Sequence, residues 1–161
     1  MENGKDGKMS SIKRAKAIKI EVKRIVDENP DLSFLETTPE HHYGTDGSNW
    51  KHVSEDDIQK IINQYGSIWN ACMVYAKQDK ERLDAYNRGV WEMIGIRAVA
   101  TIHIPVNDDI VKIQTIDSGW LFGIESDSDD SYIQDIGKEQ IAEVKNHLRI
   151  LCVDNVDNCD I

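Results

Sequence analysis

The hydrophobic pattern of this chain changes period twice. Up to about residue 90 the apolar residues recur at helical spacing. Between Ile96 and Ile104 they alternate with polar ones, and from Ile133 the helical spacing returns. Ile18, Val22, Ile25 and Val26 give the first stripe, with Ser10 or Ser11 as cap and Asn29-Pro30 as stop, which predicts a helix over 10–28. Residues 29–53 read as irregular, with Pro30, Pro39, Gly44 and Gly47 set among polar residues and Trp50 as an anchor. A second helix starts at Ser54, with Asp57 three residues on and Val53 and Ile58 as a hydrophobic staple. Ile58, Ile61, Ile62 and Tyr65 form its buried face, and Gly66 ends it. Ser67 caps a third helix reaching Arg88, with Ile68, Cys72, Tyr75, Leu83 and Tyr86 facing inward.

Strand periodicity follows. Ile96, Ala98, Ala100, Ile102 and Ile104 alternate with Arg97, Val99, Thr101 and His103, and Pro105 ends the run. Asn107-Asp108-Asp109 makes a turn, and Val111, Ile113 and Thr115 return as the second strand of a hairpin. Asp117-Ser118-Gly119 breaks that strand, and Trp120 to Glu125 form a third, with Gly119 and Gly123 as bulge or close-approach positions. Ser126 or Ser128 caps a last helix striped by Ile133, Ile136, Ile141, Val144, Leu148 and Leu151. The fold class is α+β: a three-stranded antiparallel sheet packed with several helices and a basic N-terminal helix. Residues 1–9 are expected as a disordered lead-in, 10–153 as one domain and 154–161 as a frayed polar tail.

Charge sharpens this picture. Residues 1–24 hold 8 of the 19 basic and 3 of the 29 acidic residues, a balance of +5, so residues 25–161 carry −15. An acidic body of that density repels phosphates and favours basic partners. Lys16, Lys19, Lys23 and Arg24 on the first helix are its basic counterpart, docked on the body or touching nucleic acid. No window is apolar enough to span a membrane, and Met1–Lys8 lack a signal-peptide core, which points to the cytoplasm of a host cell. Cys72, Cys152 and Cys159 form no paired spacing, so no disulfide is expected; Cys159 is expected to be exposed.

Local catalytic motifs are missing. No glycine loop precedes a Lys-Ser or Lys-Thr pair, and no serine stands on a nucleophile elbow. His41, His42 and His52 with Asp46 match no closed zinc site. In the acidic turn, Asp127, Asp129 and Ser131 resemble the start of a calcium loop, but the central glycine is absent and the twelfth position is Lys138. No metal or cofactor is expected, and the chain reads as not an enzyme. Glu125, Asp127, Asp129 and Asp130, with Trp120 and Phe122 just before them, are candidate partner-binding residues; the bland role of the acids is to cap a helix.

Several segments carry a resemblance. Asn87-Arg88-Gly89 with Trp91, Gly95-Ile96-Arg97-Ala98, Thr115-Ile116-Asp117-Ser118-Gly119 and Gly123-Ile124-Glu125-Ser126-Asp127-Ser128-Asp129 resemble a family of small, uncharacterised proteins of phages, plasmids and other mobile elements. Asn29-Pro30-Asp31-Leu32-Ser33 resembles that family's Pro-Asp-Leu-Ser element, and Gly119-Trp120-Leu121-Phe122 departs from its Gly-Gly-Leu-Trp. The resemblance implies a mobile-element setting in a bacterial host, where small acidic proteins inhibit restriction or CRISPR nucleases. The leading expectation is therefore a non-enzymatic acidic interaction protein that binds a basic, nucleic-acid-handling host protein as an anti-CRISPR or anti-restriction inhibitor or DNA mimic. The alternative is an accessory protein that binds nucleic acid through Lys16, Lys19, Lys23 and Arg24.

Overall fold

The computed structural model describes residues 14–107 and 109–161. The order of elements is β1 (Lys16–Val26), α1 (Pro39–Tyr43), a 3-10 segment (Thr45–Trp50), α2 (Glu55–Tyr65), α3 (Ile68–Asn87), β2 (Met93–Pro105), β3 (Val111–Asp117), β4 (Leu121–Glu125) and α4 (Asp130–Ile150). The α+β class holds, with one antiparallel sheet of four strands. Contacts divide the chain into two compact units. One takes in the described residues up to Ile25 with Ile94–Ile124 and Ser128–Ile161; the other is Val26–Met93 with Glu125–Asp127. Among the described residues no helix is long and apolar enough to cross a membrane.

The basic N-terminal helix is the main correction. Residues 16–26 form a strand paired with β2, while residues 10–13 of the expected helix, and the lead-in at 1–9, lie outside the described residues. The sequence permits both readings. Ile18, Ile20 and Val22 alternate with Lys19, Glu21 and Lys23, and β-branched side chains prefer the pleated backbone. Tertiary pairing settles what the 3.6-residue stripe left open.

In the first unit β2 is the central strand and pairs directly with β1, with β3 and, on a separate stretch, with β4. The β2–β3 register sets Val99 opposite Asp117, Thr101 opposite Thr115, His103 opposite Ile113 and Pro105 opposite Val111. Residues directly opposite share a face. The other face, with Ala98, Ala100 and Ile102, packs with Val144 and Leu148 of α4 in one core cluster; Ile94, Ile96, Ile124, Ile133 and Ile136 form a second. The expected alternation holds only toward the end of β2, because its first half is buried on both faces.

The C-terminal segment is not frayed. Ala17 N–H donates to the Asp154 carbonyl (2.9 Å), Ile20 N–H to that of Asp160 (2.8 Å), and Asp154 N–H to that of Ala15 (2.8 Å). These bonds form two parallel bridges to β1, and Val153, Val156 and Cys159 sink beside Ala17 and Ile20. Cys159 is therefore buried rather than exposed, and Cys152 is the exposed thiol.

Where β3 ends, a side chain continues its ladder. Ser118 Oγ accepts from Ala98 N–H (3.0 Å) and donates to Oε1 of the buried Gln140 on α4 (2.6 Å), while Ser118 N–H donates to the Ala98 carbonyl (3.1 Å). Gly119 follows at φ +83, a left-handed conformation that glycine adopts without strain. Replacing Ser118 by Ala leaves a backbone donor and a buried amide unpaired. The expected loss is about 1–3 kcal/mol in urea unfolding, with Ser118→Thr recovering part of it.

Candidate functional site

The second unit builds its acidic turn around one arginine. Capping places α3 as expected: Ser54 Oγ accepts from Asp57 N–H (3.2 Å) to start α2, Gly66 ends it at φ +83, and Ser67 Oγ accepts from Asn70 N–H (3.1 Å) to start α3. Near the end of α3, Arg82 donates to both oxygens of Asp127 (2.6 Å each) and to Glu125 Oε2 (2.6 Å). Its guanidinium carbon lies 3.8 Å from the centroid of the Trp91 ring. Trp91 is fully buried, and its Nε1–H donates to the Arg82 carbonyl (3.0 Å). Ser126, between the two acids, accepts from Glu92 N–H at its hydroxyl (2.9 Å) and donates its own N–H to the Glu92 carbonyl (2.8 Å). Two carboxylates are thus folded onto one cation and one aromatic face. Arg82 holds the Asp127 carboxyl below the usual carboxylate range, and the two acids push the Arg82 guanidinium up.

Asp129 and Asp130 are spent differently. Asp129, and not Ser126 or Ser128, caps α4: its carboxylate accepts from Ser131 N–H (2.8 Å) and from the Ser131 hydroxyl (2.6 Å). Those two bonds lower its pKa. Asp130 is exposed in the first turn of α4, where a carboxylate complements the helix dipole. Of the four acids singled out from the sequence, Glu125 and Asp127 share the single charge of Arg82, Asp129 is a cap, and Asp130 has no partner among the described residues.

The first unit repeats the arginine motif on the sheet face opposite α4. Arg97 donates to Asp117 Oδ2 (3.0 Å), and its guanidinium carbon lies 4.4 Å from the Trp120 ring centroid. Trp120 is half-buried, and its ring centroid is 6.0 Å from that of Phe122. Phe122 lies on the backbone of Gly95, where a Cβ would sit 2.6 Å from the ring. Glycine is therefore required at 95 for that ring to lie flat on the strand. Phe122 stays 48% exposed, and further along the same face Val111 and Ile113 are 52% and 66% exposed. Trp120 and Phe122, chosen from the sequence, do come together. Arg97 and the exposed pair Val111 and Ile113 were missed as members of this surface; the β2–β3 alternation carried that signal. The strand β1 presents Lys16, Lys19, Lys23 and Arg24 as exposed side chains, with Lys19 tied to Glu21 (2.8 Å).

Other polar clusters explain themselves as architecture. His42 Nε2 is 3.2 Å from Asp79 Oδ2 but poorly aligned for a hydrogen bond, and that oxygen accepts from Glu36 N–H (2.9 Å). Trp50 Nε1–H donates to the His42 carbonyl (3.1 Å), which ties the segment before α2 together. Cys72 is buried on α3, and desolvation raises its thiol pKa, the reverse of what a nucleophile needs. Among the described residues no three His, Cys, Asp or Glu side chains are grouped to hold a metal ion. No family model, no curated protein and no solved structure matches this chain.

The arginine clamp has a pH signature. A carboxylate whose folded pKa is depressed adds stability that is complete above its unfolded value and is lost as pH falls through the folded one. Arg82→Ala is expected to cost about 1–2 kcal/mol near neutrality, counting the ring contact and the screened ion pairs. The gap to the parent chain should narrow as pH falls from about 5 to about 2, measured by urea unfolding across that range. A gap independent of pH would assign the arginine to packing alone.

Proposed function

We propose that this chain is a non-enzymatic interaction protein that docks on a basic, nucleic-acid-handling partner through the sheet face of Trp120, Phe122, Ile113 and Val111. The observation that carries this reading is the exposed aromatic and aliphatic side chains on a sheet face whose opposite side is already buried under α4. Aromatic residues and arginine are enriched at protein interfaces, and isolated exposed apolar residues are common, but a face that concentrates them needs an occupant. The −15 balance of residues 25–161 supplies steering toward a basic partner. The Arg82 clamp offsets one of the two charges of Glu125 and Asp127, so this pair contributes less to that steering than its sequence suggests. The resemblance to mobile-element proteins supplies the setting: a phage or plasmid protein directed at a host restriction or CRISPR nuclease.

A second reading rests on a separate observation, the exposed Lys16, Lys19, Lys23 and Arg24 along β1, and makes the chain a nucleic-acid-binding accessory protein.

A nuclease-treated pull-down onto purified chain, in a salt series, tests both. The first reading expects a protein partner whose recovery falls with salt and drops at least about tenfold with Ile113→Asp or Phe122→Ala, while thermal melting of Ile113→Asp stays near that of the parent. Recovery that survives Ile113→Asp and Phe122→Ala overturns the sheet face as the contact. Recovery that vanishes on nuclease treatment and on neutralising Lys16, Lys19, Lys23 and Arg24 selects the second reading.

A further inference from the structure

Among the described residues, the strand β1 is covered along its first half only. There the C-terminal segment runs parallel to it, bonds its backbone at Ala15, Ala17, Ile18 and Ile20, and drops Val153, Val156 and Cys159 into a trough floored by Ala17, Ile20, Val144 and Leu148. The segment is acidic, and its aspartates meet cations: Asp154 lies 4.0 Å from Arg14, and Asp157 pairs with Arg149. Its last backbone bond to the strand is at Ile20. Beyond it, among the described residues, no bond from a loop or from the tail reaches residues 21–26.

The trough itself continues. Val22 and Arg24 of β1 and Ile133, Gly137, Lys138 and Ile141 of α4 enclose an open groove of about 280 Å³, within the same unit. Its floor is apolar and its rim is cationic. Lys138 is shared with Asp135, and Arg24 enters no ion pair among the described residues. The floor holds a second clue. Gly137 stands in the interior of a 21-residue helix, where glycine is less favourable than alanine. Packing within the chain does not demand it: a Cβ at 137 would meet the Val22 methyls at 3.6 and 3.7 Å, ordinary contact. A glycine that the fold does not require keeps the groove floor low.

We propose that this groove binds an extended acidic peptide segment of a partner protein, added along residues 21–25 of β1 in the manner of the chain's own C-terminal segment. Backbone bonds to the open strand edge supply affinity, one or two apolar side chains fill the groove over Gly137, and carboxylates meet Arg24 and Lys138. The groove is too small for a folded domain and suits side chains presented by a strand. This surface is basic and separate from the sheet face proposed above, so it does not depend on that reading.

The test titrates a fluorescein-labelled peptide with the sequence of residues 153–161, carrying Cys159→Ser, into the full chain and follows anisotropy. Saturable binding is expected, weakened at least about tenfold by Gly137→Ala and by Arg24→Glu, and by exchanging the peptide's aspartates for asparagine. Gly137→Ala should at the same time raise the melting temperature by about 2 °C, because it improves the helix without a clash. No binding to the parent chain overturns the proposal, as does binding indifferent to both substitutions, which would place the peptide in the tail's own position. A lowered melting temperature for Gly137→Ala overturns the argument from the glycine. Concentration-dependent dimerisation abolished by Gly137→Ala would give the groove to a second copy. A single-stranded oligonucleotide that displaces the peptide and loses affinity with Arg24→Glu would give it to nucleic acid. Either result replaces the peptide as occupant.

Discussion

A strand bonded along both edges must find a partner for every peptide group, and β2 meets this demand even where its neighbours stop. At Ala98 the backbone N–H is taken by the Ser118 hydroxyl, and just before the strand the N–H of Glu92 is taken by the Ser126 hydroxyl. Each serine also returns its own N–H to the same residue's carbonyl. A serine can do this because its hydroxyl both accepts and donates, so the ladder closes while the neighbouring chain is free to turn. Both turns depend on this substitution. With the ladder closed by side chains, β3 can give way to β4, and β4 to the acidic turn, without an orphaned donor on β2.

The two serines sit in related surroundings. Ile116-Asp117-Ser118 and Ile124-Glu125-Ser126 lie eight residues apart, and in each the acid before the serine binds an arginine stacked on a tryptophan. The consequences differ. Around Arg82 the tryptophan is buried and two carboxylates are engaged, which makes a closed structural knot. Around Arg97 the tryptophan is half-exposed and has Phe122 beside it, which makes a rigid surface. Rigid aromatics lose little entropy on contact, so such a surface suits recognition better than a flexible one.

Much of this was legible in residues 54–105. Ser54, Gly66 and Ser67 act through local chemistry, so the caps of α2 and α3 followed from the letters. So did the β2–β3 hairpin, whose alternation survives on its outer half. The identity of β1 did not, because its apolar residues fit both periods and the choice was made by a partner strand far away in sequence. The C-terminal segment looked frayed because only Val156 and Ile161 among its last eight residues are strongly apolar. Its stability comes from backbone bonds to β1, which no composition reveals. The acidic turn was recognised as a feature, but the cation that engages it, Arg82, comes from a helix more than forty residues earlier.

The pairing of the tail with β1 also sets how this protein acquires its fold. Asn155 and Ala17, joined by a side-chain bond to the Ala17 carbonyl, are 138 positions apart, and the intervening chain holds, among the described residues, the other three strands and every helix. Closing a loop of that length carries an entropic cost that local contacts cannot offset early, so contacts of this span form late and slow the overall rate. The consecutive helices α2 and α3 and the β2–β3 pair can assemble from near neighbours, whereas the outer edge of β1 is closed only when both distant segments arrive together. Until then Ala17 and Ile20 face water, Val144 and Leu148 have only β2 to cover them, and the half-finished sheet is the species most exposed to pairing with the wrong strand.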